Sequence, residues 1–189
     1  HTTMKKSIIL IAAMFMTSVM TFAQKVIRVS TDKTDLVMKV SPKGRLYQVY
    51  LGDKFLNPAD YDNLKWDVYA ASDGAVCQRG HEVYATSGAE DYFEPAVAVT
   101  HADGNMTTYL YYQSSEQKAV EGGTETVITL KDKVYPLTVK LHYVAYAKEN
   151  VIKAWSEISH KEKAPITLWR YSSTMLYFKS SKYYLTNYH

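Results

Sequence analysis

Cysteine is almost missing from this chain. Cys77 stands alone among 189 residues, so no internal disulfide can form and the fold must rest on an ordinary apolar core. Charge of one sign is also lacking. Lys5 and Lys6 are the only charged residues among the first 23, and without them 20 Lys and Arg face 19 acids, a net charge of +1. That balance excludes an electrostatic case for a nucleic acid or another polyanion as partner. Long apolar runs are limited to Ile8–Met16, too short for the span of about 20 residues that a membrane helix needs. Helical periodicity over ten or more residues is absent beyond that run. So are a G-x-S-x-G elbow, a phosphate-binding loop and a dinucleotide fingerprint. With five Pro and eight Gly against seventeen Tyr and three Trp, the composition points to a packed, aromatic-rich β protein.

The N-terminus has its own grammar. From Met4 the chain reads "MKKSIILIAAMFMTSVMTFAQ": two lysines, an apolar stretch, then small residues at Thr21-Phe22-Ala23. These are the three parts of a secretory signal peptide, cleaved after Ala23. His1, Thr2 and Thr3 precede the initiator as extra leader residues. No Cys follows the cleavage point to take a lipid, so residues 24–189 are expected as one exported domain, periplasmic or extracellular and off the membrane. Its 166 residues suit a single domain of about 100–200.

Almost everywhere the apolar period is two. In "LTVKLHYVAYA", Val139, Leu141, Tyr143 and Ala145 alternate with Lys140, His142, Val144 and Tyr146, as a strand with one wetter face requires. "VIKAWSEISH" repeats the pattern after the polar turn Lys148-Glu149-Asn150, predicting a long hairpin over 137–160. Further strands are expected at "KVIRVS", "DLVMKV", "RLYQVYL", "HEVYAT", "PAVAVTH", "TTYLYYQ", "TETVITL" and "ITLWRY". Asp103-Gly104-Asn105 reads as a hairpin turn between two of them, because Gly tolerates positive φ and Asp and Asn bond their own backbone. About ten short strands at regular spacing predict an all-β, antiparallel sandwich. Two stretches break the rhythm. Leu56–Gly80 is long, irregular and aromatic, as functional loops often are, and the chain stops in the aromatic run "SSKYYLTNYH", which predicts a sandwich left incomplete at its C-terminus.

The candidate chemistry is sparse. Glu90, Asp91 and Glu94 could offer a general acid and base, but Glu90 and Asp91 are adjacent, and a solvated acidic loop leading into Pro95 explains them. His101 and Asp103 form an H-x-D pair without the further ligands a metal site needs, and the turn accounts for Asp103. His142 and His160 are expected in ordinary surface roles, and Cys77 near His81 carries little specificity. Asn105-Met106-Thr107 matches a glycosylation acceptor, meaningful only in a host that glycosylates. Neither metal nor cofactor is expected. Most tyrosines are strand residues that pack across a sheet; Tyr61, Trp66 and Tyr69, in the irregular stretch, are the better candidates for exposed rings that cover a sugar face.

Taken together, "EDYFEPAVAVTHADGNMTTYLYYQS" and "VYPLTVKLHYVAYAKENVIKAWSEISHKEKAPITLWRYSSTMLYF" closely resemble the N-terminal β-sandwich of the α-galactosidases of glycoside hydrolase family 36. Most diagnostic are the acidic-aromatic loop with Glu94-Pro95-Ala96, the Asp103-Gly104 turn and the strand pair ending Glu157-Ile158-Ser159-His160. Phe93 departs from the Arg that many members carry before the Glu-Pro step. The resemblance implies a galactose-mutarotase-like supersandwich followed by a (β/α)8 barrel. In that barrel one Asp attacks the anomeric carbon of a terminal α-galactoside and another protonates the leaving oxygen, with retention. No catalytic residue falls within this chain. The resemblance gives the sandwich contacts with the barrel, with further copies of itself and, through the whole enzyme, with α-galactoside oligosaccharides. Asp60, Tyr61, Glu90, Asp91 and Tyr92 are expected at the pocket rim, since carboxylates accept sugar hydroxyl hydrogen bonds and rings cover the apolar sugar face. Two other readings differ in class: an autonomous carbohydrate-binding sandwich and a structural exported sandwich. The nucleotide sequence downstream of His189 separates them from the first.

Overall fold

The computed structural model describes residues 25–65, 81–88 and 94–178, together with 182, 184 and 186. Nine strands are present among them, in three antiparallel sheets. β1 (Val26–Ser30), β2 (Thr34–Val40) and β3 (Leu46–Asp53) form one sheet in sequence order. β5 (Leu110–Val120), β6 (Gly123–Asp132), β7 (Leu137–Tyr146) and β8 (Val151–His160) form a longer one, and β4 (Val97–Thr100) pairs with β9 (Thr167–Tyr171). A 3-10 helix, Pro58–Asn63, interrupts the irregular stretch. No helix among the described residues is long and apolar enough to cross a membrane.

Period-two alternation builds the core. Ile27, Val29, Leu36, Met38 and Leu46 from the three-stranded sheet pack against Leu110, Ile128, Leu130, Val139, Leu141 and Tyr143 from the four-stranded sheet, the two inner faces of a sandwich. The 137–160 hairpin pairs Leu137 with His160 and Tyr146 with Val151, and Ile152, Ala154 and Ile158 lie on its core side. The turns stitch the layers: Asp32 N–H donates to Ala147 O at 3.1 Å, and Thr31 Oγ1 donates to Asn150 Oδ1 at 2.5 Å.

Three expectations are corrected. "HEVYAT" is not a strand: Glu82 makes a single antiparallel bridge to Tyr47 and Thr86 a single parallel bridge to Val97. Val83, Tyr84 and Ala85 are buried in succession, because the segment crosses between sheets and buries both of its sides. The Asp103-Gly104 turn forms, with Gly104 N–H on His101 O at 2.9 Å and φ +88°. The strands it joins do not form a hairpin, since β4 pairs with β9 and β5 with β6. Finally, the supposedly wetter face of β7 buries His142 and Val144.

Candidate functional site

Of the residues expected at a sugar-facing rim, the structure describes two. Asn57 caps the 3-10 helix by accepting from Ala59 N–H at 3.1 Å, with Pro58 in its first turn, a start that suits a ring-locked φ. Asp60 stands exposed on this turn. Tyr61 points the other way and is buried, 5% exposed. Its ring lies between Phe55, 4.8 Å between centroids, and the Arg28 guanidinium 4.7 Å away. Its hydroxyl donates to the Asp35 carboxylate and accepts from Phe55 N–H at 3.0 Å. Burial, then the bond to Asp35, push the Tyr61 phenol up. The exposed ring expected from the sequence is therefore an anchor in this chain: an irregular backbone needs something to hold it, and the buried Asp35 needs a donor. Glu90, Asp91 and Tyr92, like Phe93, Trp66, Tyr69 and Cys77, lie outside the described residues.

The ends of the acidic stretch are described. Gly88, at φ +76°, sits so close to Thr107 that a Cβ would lie 2.9 Å from the Thr107 Cα, which packs the backbone at Gly88 itself against the turn at 101–107. Glu94 is exposed and paired with Arg170 of β9. His101 is the centre of a cluster that the sequence did not show. Its Nδ1 is 2.8 Å from Glu162 Oε1 and its Nε2 is 2.9 Å from Thr108 Oγ1. Its ring stacks on Tyr135 at 3.5 Å, and the Tyr135 hydroxyl donates to Asp103 Oδ2 at 2.8 Å. Carboxylate, imidazole and hydroxyl in line resemble a hydrolase triad, but Thr108 is fully buried and no substrate carbon can reach it. The cluster instead ties three turns together. Burial pushes the Glu162 carboxyl up, yet the Ala102 N–H at 2.9 Å and the His101 ring hold it below the ordinary carboxylate range.

Three further polar arrangements lie outside the predicted set. His142, expected at the surface, is buried on the outer face of the four-stranded sheet, 2.8 Å from Glu125 Oε1 and stacked on Trp155 at 4.6 Å. Lys118, then His142, hold the Glu125 carboxyl below its ordinary range. Arg45 forks onto Glu82 at 2.7 and 2.8 Å and lies over Tyr111, whose ring also takes Lys133 at 3.7 Å. Lys39, 2% exposed, donates to Asp62 O and Leu64 O at 3.2 and 2.6 Å; burial lowers its pKa. Only the pairing register, which puts Lys118 opposite Glu125 and Trp155 opposite His142, could have revealed the first of these from sequence. The rings of Trp155 and Tyr111 are engaged by neighbouring side chains, so they act in packing. No group of three or more His, Cys, Asp or Glu among the described residues could hold a metal.

The chain matches the glycosyl hydrolase family 36 N-terminal domain over residues 44–189. Its fold is shared with solved enzymes: the α-galactosidase from Lactobacillus brevis, 20% identical with a TM-score of 0.67, covers 80% of this chain, which in turn covers 24% of that one. The α-galactosidase AgaB from Geobacillus stearothermophilus is 22% identical with a TM-score of 0.67, the match covering 79% of this chain and 23% of that one. Variants of AgaA from the same organism, 22% identical with TM-scores of 0.66, were solved with raffinose and with stachyose, the match covering 79% of this chain and 24% of theirs. No curated protein matches. At such identities the structures speak for the fold, and the chain spans about a quarter of their length. Family membership rests on the 44–189 match, and on that ground the chain belongs to glycosyl hydrolase family 36, as its N-terminal domain.

Proposed function

We propose that this chain is the non-catalytic N-terminal domain of an exported α-galactosidase that hydrolyses terminal α-galactosides with retention, and that it acts as scaffold for a catalytic barrel in the same polypeptide. The observation that carries this reading is the state of β9. Every residue of Thr167–Tyr171 is exposed, including Trp169 at 67% and Tyr171 at 69%, with Phe178 at 59% shortly after. Large rings gathered on one strand in this way mark a surface made for another protein layer, and a barrel following in the chain is the partner the family supplies. Substrates of the whole enzyme are α-galactosyl oligosaccharides of the raffinose and stachyose kind, met at a rim to which Asp60, Glu90, Asp91 and Tyr92 contribute. Further copies of the enzyme are a second class of partner. Export to the periplasm or beyond follows from the signal sequence, and no cofactor enters the chemistry.

The test is hydrolysis of a chromogenic α-galactoside by two purified proteins, residues 24–189 and the product of the same gene carried to its natural stop. Activity confined to the longer protein is expected. Activity in the shorter one overturns the scaffold reading, and sugar binding by the shorter one with activity in neither favours an autonomous carbohydrate-binding module.

A further inference from the structure

β2 buries charge on the face turned away from the core. Leu36 and Met38 pack into the sandwich, and the two-residue period sends Asp35, Val37 and Lys39 to the opposite side of the strand. That side is as dry as the core: Asp35 and Val37 are 0% exposed and Lys39 is 2% exposed. The irregular stretch after β3 reaches back to it through the Tyr61 hydroxyl and the carbonyls of Asp62 and Leu64. Asp35 and Lys39 cannot serve each other. Four residues along an extended strand separate their Cα atoms by about 13 Å, and each spends its charge on that stretch instead.

The attachments close in on Asp60. Ahead of it Asn57 Oδ1 accepts from Ala59 N–H, and Asp60 N–H donates to Asn57 O, each at 3.1 Å. After it the Tyr61 hydroxyl donates to the Asp35 carboxylate, and Lys39 Nζ donates to Asp62 O at 3.2 Å and to Leu64 O at 2.6 Å. Asp60 itself is exposed. Holding a turn in this way is costly, because taking a carboxylate and an ammonium out of water opposes folding, and well-packed apolar residues often serve stability as well. What directional bonds from fixed strand positions supply is one conformation for an irregular backbone. That matters where a side chain must meet a ligand, since ordering a loose loop on binding subtracts from affinity.

We propose that Asp35 and Lys39 are positioning residues for substrate recognition: they hold Pro58–Asn63 in a single conformation on β2, and that conformation presents the Asp60 carboxylate to a hydroxyl of a bound α-galactosyl oligosaccharide. The proposal rests on the reading of this chain as part of an α-galactosidase with Asp60 at its rim. Asp35 acts through the Tyr61 hydroxyl, next in sequence to Asp60. Lys39 acts through the carbonyls where the 3-10 helix ends, a place that favours a cation.

The test is the release of galactose from raffinose by the gene's product carried to its natural stop. Asp60→Ala is expected to raise KM about 10-fold with kcat within about twofold, the loss of one charge-assisted hydrogen bond. Lys39→Met and Tyr61→Phe are each expected to raise KM about 3- to 10-fold, again with kcat nearly unchanged, and to add nothing further when combined with Asp60→Ala. The two variants cut separate grips, so either one that folds decides. KM unchanged in them while Asp60→Ala raises it overturns the positioning role and leaves the rim in place. Additive effects in the double variants, a fall in kcat, or loss of folding in both single variants makes the two side chains merely structural and overturns it as well. An Asp60→Ala enzyme indistinguishable from wild type removes this inference while the α-galactosidase reading stands, and a wild type that leaves raffinose intact removes both.

Discussion

A side chain's type said less about its role here than the partner it met. Glu162 shows this best. In the sequence it is one acid in the polar turn Lys161-Glu162-Lys163, and in the fold it lies against His101 with 5% of its side chain exposed. Its carboxyl titrates below the ordinary range, so its contribution to stability is fully present above its unfolded value of about 4.3 and is lost as pH falls through the lower folded value. Urea denaturation of the wild type and of Glu162→Gln should therefore differ most near neutrality and converge below about pH 4. A gap that persists unchanged at pH 3 would show that the charge is not what matters. The same lesson applies to Tyr61. Its aromatic character and its place in an irregular stretch were visible in the sequence, but not the buried Asp35 that its hydroxyl serves, because that partner lies 26 positions away on a strand whose pairing had to be known first.

Strands were the most legible elements, and their terminations the least. Alternation located β1, β2, β3, β4, β6, β7, β8 and β9, while β5 runs on through "SSEQKAV", where the polar residues hide a strand whose outer face meets water. The hairpin from β5 to β6 closes through Glu121 and Gly122, with Val120 opposite Gly123. Gly123 is required by contact: a Cβ there would press into the carbonyl oxygen of Ala145 on β7. Gly123→Ala is expected to cost about 1–3 kcal/mol, the range of an overpacked site, read as a lower denaturation midpoint with an unchanged slope. A neutral outcome would mean that β6 and β7 can part locally without loss. Nothing in the motif Glu-Gly-Gly distinguishes this glycine from its neighbour, since the clash is with a strand paired across the sheet.

At the scale of the molecule, one core joins the two larger sheets, with Leu141 at 1% exposure near its middle. Leu141→Ala is expected to lower stability by about 2–5 kcal/mol, a large share of the 5–15 kcal/mol that typical domains possess. Thermal and chemical unfolding of the 189-residue chain would measure it. A loss under about 1 kcal/mol would mean that the two sheets are not cooperative partners. Beside this well-covered interior stand the exposed rings of β9.

The sequence by itself determined the class: period-two alternation is a local property, and it settles which residues turn inward wherever one face must be dry. The lone cysteine made that core the source of stability, and the quoted motifs carried the family resemblance. Which strands become neighbours was decided only by the tertiary structure, as were the burial of Tyr61 and the His101 and His142 clusters. Alternation states which way a side chain faces and is silent on what it faces. The choice of partner is made by the collective packing of residues up to 129 positions apart, as in the Gln48 amide that holds the backbone of Tyr177.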